Sequence, residues 1–213
     1  MLGVIADIAG AVRVPVTADV EAGYGAKPEG AALTARRVIE AGAVGINFED
    51  ATGNAAHPLF DLQLQVERIQ AIREAAENLG VPLVLNARTD VYLLQIGEAS
   101  KRYEEALRRM SAFRDAGADC VFVPGLLDLA TIVRFVLDLR CPVNILGVPG
   151  SPSVAELRRA GVRRISLGSG PMRAAMGLLR RVAEELKTSG TYSGLSGAPA
   201  HAEMNKLMGA DRS

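Results

Sequence analysis

The chain of 213 residues has no tryptophan, 4% aromatic residues and two cysteines, Cys120 and Cys141. Two cysteines make neither a disulfide framework nor a zinc cluster, so both read as free thiols in a reducing compartment. Charge of one sign is not in excess either: 24 Lys+Arg balance 24 Asp+Glu. That balance offers no basic surface for nucleic acid or an anionic membrane. No apolar run approaches the ~20 residues of a membrane span. The start, Met1-Leu2-Gly3-Val4-Ile5-Ala6-Asp7, lacks the basic segment of a secretory signal. A cytosolic protein is expected. No G-x-G-x-x-G follows the first strand, which reads against a dinucleotide fold.

What is present is 49% hydrophobic residues in short runs that alternate with helical patterns. Strands are predicted at 14–18, 44–48, 82–87, 120–123, 143–146 and 164–167. Helices are predicted at 29–41, 62–79, 98–116, 128–139, 153–160 and 172–187. Four helices close on the same device, a glycine at 42, 80, 117 and 161 followed by a strand. A repeated strand–helix unit of this kind points to an α/β fold with a parallel sheet, of the (β/α)8 barrel type. About six units are legible where closure takes eight, so the first two βα units are expected to be missing; Leu2, Ile5, Ile8 and Val12 read as the end of a helix with no strand before it. The barrel domain is expected over 1–188. The Gly/Ser/Ala-rich stretch 189–213, with a short helix at 202–208, reads as a tail that is flexible or docks on a neighbouring subunit.

Side chains alternate between the lumen and the outer helices along a barrel strand. With Val14, Val16 and Ala18 facing the helices, Asp19 faces inward and Glu21 shares its direction. By the same alternation Asn47 and Glu49 face inward on the second strand, and Asn86 and Arg88, followed by Asp90, on the third. These polar groups fall at the C-terminal strand ends, where barrel active sites lie. Inward carboxylates on neighbouring strands repel one another unless a cation sits between them. An all-oxygen set suits Mg²⁺, or alternatively Mn²⁺. Arg88 has the fork geometry that clamps a carboxylate. Each group also has a plainer reading: Asp19 and Glu21 as solvated turn acids, Glu49-Asp50 as helix N-terminal acids, Arg88 as an ion-pair partner of Asp90.

Gly23-Tyr24-Gly25 lets backbone approach a ligand. Gly147–Ser151 and Gly168–Pro171 are tight turns or, alternatively, phosphate-binding loops. His57 reads as a surface residue or a loop catalyst, and His201 has no evident role. Lys27, Lys101, Lys187 and Lys206 lie off the strands, which speaks against Schiff-base chemistry.

Val14–Gly25 (VPVTADVEAGYG), Gly42–Thr52 (GAVGINFEDAT), Asn86–Asp90 (NARTD) and Pro149–Arg173 resemble the isocitrate lyase/phosphoenolpyruvate mutase superfamily, over roughly Val14 to Tyr192. The resemblance implies an Mg²⁺-dependent barrel enzyme, a lyase or phosphonomutase-type isomerase. Such an enzyme makes or breaks a C–C or P–C bond of a 2-oxo carboxylate or phosphonate through an enolpyruvate-like intermediate. It implies Asp19 as the direct or near-direct metal ligand, with Glu21 and Glu49 holding the ion largely through water. Arg88, Asp19 and Glu49 are then the catalytic set, and Tyr24, Gly25, Asn86, Arg88, Asn54 and His57 the substrate-binding candidates. It further implies a homotetramer in which the last helix packs on a neighbouring subunit. The lyase branch carries Lys-Lys-Cys-Gly-His after the glutamate; here the loop is Ala51–Phe60 (ATGNAAHPLF), without cysteine, which reads against an isocitrate or methylisocitrate lyase. Two alternatives stand beside this reading: a phosphate-gripping barrel enzyme using the last two glycine loops, and a non-catalytic assembly subunit.

Overall fold

The computed structural model describes residues 1–209; positions 210–213 of the expected tail lie outside the described residues. Six strands form one sheet: β1 (Thr17–Asp19), β2 (Gly45–Glu49), β3 (Val84–Arg88), β4 (Cys120–Phe122), β5 (Val143–Leu146) and β6 (Arg164–Ser166). They pair in parallel and in chain order from β1 to β6. Helix α1 (Leu2–Ala11) precedes them, and α2 (Pro28–Glu40), α3 (Leu62–Asn78), α4 (Arg102–Asp115), α5 (Leu129–Leu139) and α6 (Val154–Arg159) fill the successive connections.

The sheet is strongly curled. Laid flat, five spacings of about 4.8 Å would set β1 and β6 about 24 Å apart, beyond the reach of any side chain. Yet Arg164 on β6 donates to Thr17 Oγ1 on β1 at 3.4 Å. This is the geometry of a (β/α) barrel sheet with six staves among the described residues. Strand β1 starts later than the apolar run 14–18 suggests. Val14 is 68% exposed and the ladder begins at Val16, whose carbonyl accepts from Val44 N–H at 2.9 Å. Pro15 has no N–H to contribute to a ladder, so pairing starts only beyond it.

Local chemistry sets the helix ends. Asp61 caps α3 by accepting from Gln63 and Leu64 N–H, Asp128 caps α5 through Thr131 N–H, and Ser153 with Glu156 forms a capping box on α6. The closing glycines 42, 80, 117 and 161 all adopt positive φ, a conformation that penalises any Cβ.

The outer sheet face carries Ala18, Ile46, Phe48, Leu85 and Ala87, which pack with Ala31, Ala35, Val38, Ile69, Ile72 and Phe113. A second cluster joins Val121, Val143 and Ile145 to Met110, Ile132, Phe135 and Leu139. The inner face is polar. One row runs Asp19, Asn47, Asn86, Cys120 in register, and the next runs Glu49, Arg88, Phe122, Asn144, Arg164. Burying the apolar partners outward thus presents the polar ones to the lumen.

The first compact unit ends at Ser166, and a second starts at Leu167. Within the second, α7 (Gly170–Ser189) is followed by a 3₁₀ turn at Ser193–Leu195 and α8 (His201–Gly209). The helix read from sequence as the last of the barrel domain, α7, thus groups with the tail, and it has no buried residue. Glu185 ties this unit together by accepting from Thr191, Ser193 and Gly194. No helix of the described residues is long and apolar enough to cross a membrane.

Candidate active site

The loop after β1 is a tight, left-handed turn. Asp19 Oδ1 accepts the N–H of Glu21 at 3.0 Å. Glu21 then takes φ 49° and Tyr24 φ 53°, conformations that cost a residue with a Cβ and need outside support. Part of that support comes from β2, because the carbonyl of Glu21 accepts Glu49 N–H at 2.9 Å. Gly23 is required: a Cβ there would stand 2.7 Å from the Phe48 ring.

Glu49 and Arg88 are neighbours in register at the ends of β2 and β3. The guanidinium of Arg88 is fully engaged. Its Nη1 stands 2.8 Å from Glu49 Oε2, while Nε and Nη2 donate to the two oxygens of Asp90 at 2.6 and 2.9 Å. The plainer sequence reading of Arg88, as a partner of Asp90, is therefore realised, and it includes Glu49 as well. Burial pushes the Glu49 carboxyl up to about 7; Arg88 opposes this, while Asp90, Asp19 and Glu21 add to it. Burial works against the charge of Arg88, but Asp90, Glu49 and Asp19 outweigh it, so its pKa rises.

Behind this triad lies Asp50, fully buried. It accepts from Thr89 Oγ1 at 2.7 Å, from Asp90 N–H at 3.0 Å and from Arg109 at 3.2 Å. Burial raises Asp50 to about 6, against the lowering effect of those donors. Arg109 also donates to the carbonyl of Phe60 at 3.0 Å, fastening the end of the 51–60 loop. The loop itself is a small hairpin closed by an Ala51–Leu59 bridge.

A pocket of about 470 Å³ opens at this end of the sheet. It is lined by the acids Glu21, Glu49 and Asp90, by Thr52, Gly53 and Asn54, and by the small apolar surfaces of Ala22, Ala51, Ala55, Pro58 and Leu94. Of the residues expected from sequence, Glu21, Glu49 and Asn54 line it directly. Asp19 and Arg88 hold those acids from beside and behind. Tyr24 is exposed, and the Gly25 backbone packs on Gly30. His57 is exposed and contributes its backbone to the loop. Asn86 is fully buried one row deeper, donating to Asn47 at 2.8 Å, with its own Oδ1 unpartnered. The glycine loop at 147–151 satisfies itself, since Ser151 Oγ accepts Val148 N–H and donates to the Leu146 carbonyl.

Asp90 was read from sequence as the ion-pair partner of Arg88, at the end of NARTD; it also lines the pocket. Asp50, Arg109 and Arg68 gave no such signal. Arg109 and Arg68 sit on helices, where a charged residue ordinarily marks the solvated face. Their burial is a tertiary fact.

The donors at the pocket are all oxygen, which suits Mg²⁺ or Mn²⁺. Among the described residues no three His, Cys, Asp or Glu side chains are gathered around one ion position. A dry three-carboxylate site does not fit this geometry. A hydrated ion does, because Mg²⁺ keeps several waters and takes only one or two carboxylates directly. The mutual repulsion that helps to raise Glu49 is what such a cation would relieve.

Residues 1–187 match the family described as phosphoenolpyruvate phosphomutase. The chain belongs to this family, within the isocitrate lyase/phosphoenolpyruvate mutase superfamily. Among its relatives is an uncharacterised protein of Mycobacterium tuberculosis, 36% identical over 76% of this chain and 57% of that one. The 2-methylisocitrate lyase of Salmonella typhimurium is 29% identical over 84% of this chain and 61% of that one. The chain therefore spans about six-tenths of the length of these curated family members. A Burkholderia cenocepacia structure, provisionally named a lyase/mutase, superposes with TM-score 0.92 at 38% identity, covering 99% of this chain and 75% of its own. Phosphonopyruvate hydrolase, solved with oxalate and Mg²⁺, superposes with TM-score 0.79 at 25% identity, covering 99% and 74%. Enzymes of the family thus break C–C or P–C bonds of 2-oxo acids and related carboxylates.

Proposed function

We propose that this protein is a Mg²⁺-dependent enzyme that breaks a C–C bond beside the 2-oxo group of a small carboxylate. The observation that carries this reading is the meeting of Glu21, Glu49 and Asp90 in one pocket, with Arg88 bound between the last two. In this reading Asp19 holds the ion directly, and Glu21 and Glu49 hold it through water. A bound Mg²⁺ supplies Lewis-acid stabilisation of negative charge on a substrate oxygen.

The chain's own groups do the rest. Arg88 keeps Glu49 and Asp90 aligned and opposes the upward pull of burial on Glu49, and its guanidinium offsets charge that develops on the substrate as the bond breaks. Asn54, on the pocket wall, is placed to donate to a substrate oxygen. The 51–60 loop, fastened at Phe60 by Arg109, forms one wall of the pocket.

The lining favours C–C over P–C cleavage. A phosphonate dianion wants cationic neighbours. Among the described residues the lining carries three acids and small apolar surfaces, and no Lys, Arg or His. The decisive experiment is a screen of oxaloacetate, substituted malates and phosphonopyruvate with and without Mg²⁺. Turnover of a C–C substrate that EDTA abolishes is expected. Turnover that persists in EDTA, or phosphonopyruvate as the preferred substrate, overturns the assignment.

The same reading makes the active form a homo-oligomer. Met172, Met176 and Leu179 on α7 are 56%, 53% and 59% exposed, and a neighbouring copy would cover them. Sedimentation of wild type and of Met176→Glu tests this; the variant should sediment as a smaller species.

A further inference from the structure

Arg68, on α3, is among the largest fully buried side chains of the protein. Its hydrogen-bond partners are carbonyl and amide oxygens, and two aromatic rings pack on it; the nearby Asp50 carboxylate acts on its charge without a direct bond. One nitrogen, Nη2, donates to the carbonyls of Ala22 and, at 3.0 Å, Gly25; Nη1 donates to Gln65 Oε1 at 2.5 Å. Its guanidinium carbon stands 4.0 Å from the centroid of the Phe60 ring and 4.8 Å from that of Phe48. Gln65, also fully buried and one helical turn earlier, donates to the carbonyl of Glu49 at 3.1 Å. Burial lowers Arg68 to about 10, so it remains a cation at neutral pH.

These bonds close a ring around the two acids of the pocket. The carbonyl of Glu21 takes Glu49 N–H, and the carbonyl of Glu49 takes Gln65. Gln65 takes Arg68, and Arg68 holds the carbonyls just after Glu21. Glu21 and Tyr24, the two non-glycine residues of the loop with positive φ, flank or border the carbonyls held by Arg68. A cation clamped on that backbone supplies the support that the strained turn requires. Space filling would be served better by an apolar residue, since an arginine loses its hydration here without gaining an ion pair. The device recurs one βα unit later, where Arg109 of α4 holds the Phe60 carbonyl and Asp50.

We propose that Arg68, acting with Gln65, is a positioning residue that fixes Glu21 relative to Glu49 by holding the carbonyls of Ala22 and Gly25. The proposal rests on the reading of these two acids as the ion-holding pair, but its structural half is testable without it. Arg68→Met keeps an unbranched apolar stem and removes the donors; Arg68→Lys keeps the charge. Hydrogen exchange in the full chain and Mn²⁺ binding followed by electron paramagnetic resonance are measured on both.

In Arg68→Met, exchange at Ala22–Gly25 should rise at least tenfold while the strand amides of β3 stay unchanged, and Mn²⁺ affinity should fall about tenfold. Arg68→Lys should recover part of both. A folded Arg68→Met with wild-type exchange in the loop and wild-type Mn²⁺ affinity overturns the proposal and leaves Arg68 a packing residue. If Arg68→Met does not fold, Gln65→Leu breaks the ring at Glu49 with the cation in place. Raised exchange at Glu49 and the loop then supports the ring, and unchanged exchange sinks it. Absence of Mn²⁺ binding by the wild type would remove the ion-site reading, while the exchange data would still decide whether Arg68 holds the loop.

Discussion

The two halves of the sheet end differently. Strands β1 to β3 end in Asp19, Glu49 and Arg88, whereas β4 to β6 end in Phe122, Leu146 and Ser166. Both halves share the parallel ladder, the capped helices and the apolar outer face, so the fold does not account for the contrast. In the first half Arg88 binds Glu49 and Asp90, and Asp19 binds the turn at Glu21. In the second half no acid among the described residues faces inward: Arg164 is the one inward charge on β4 to β6 and reaches Thr17 on β1 at 3.4 Å, while Asn144 and Ser166 satisfy each other at 2.9 Å. The comparison teaches that one side of a common scaffold gathers the inward acids, and the other completes the lumen with neutral groups and a single arginine.

The contrast can be broken most severely at Asp19. Asp19→Ala should abolish divalent-cation binding and bring turnover in the substrate screen below detection. Retained cation-dependent turnover would move the chemistry away from β1. Arg88→Met comes next. It leaves Glu49 and Asp90 partly buried without their cation, so turnover should fall on the order of a hundredfold or more. Stability should drop by about 3 kcal/mol, read from denaturant melts.

The titration of Glu49 gives a smaller, sharper effect. Its carboxyl is held up at about 7 in the metal-free protein, above the 4.5 of an unperturbed glutamate. Between those values the folded state holds a proton that the unfolded state has released. Its contribution to stability is thus full below about 4.5 and is lost as pH rises through about 7. Added Mg²⁺ should move this transition downward, and Glu49→Gln should remove it. In kcat/KM the same group predicts an acid limb, rising with pH, that lies lower at saturating than at limiting Mg²⁺. The smallest effect belongs to the quiet half: Asn144→Val should leave turnover within about twofold and cost about 1 kcal/mol. A large loss of turnover in that variant would show that both halves work.

Much of this contrast was legible along the chain. The order of strands and helices followed from apolar runs, capping residues and closing glycines, all of which act over a few residues. The inward set Asp19, Glu49 and Arg88 followed from the two-residue period of a strand. The β1 boundary was misplaced because Val14 and Val16 carry a strand pattern while Pro15 and the absence of a partner at Val14 keep the start of that run out of the sheet. His57 and Tyr24, chosen by residue type, stand exposed.

Sequence alone therefore determined the repeating βα architecture and the level at which the acids emerge, because both are set by hydrogen bonds and side-chain periodicity local to each segment. Only the tertiary structure decided that Arg88 serves two acids, that Asp50 is buried among Thr89, Asp90 and Arg109, and that Arg68 holds carbonyls more than forty positions away. Charge interactions and desolvation depend on distance through space and on what excludes water, and chain spacing records neither.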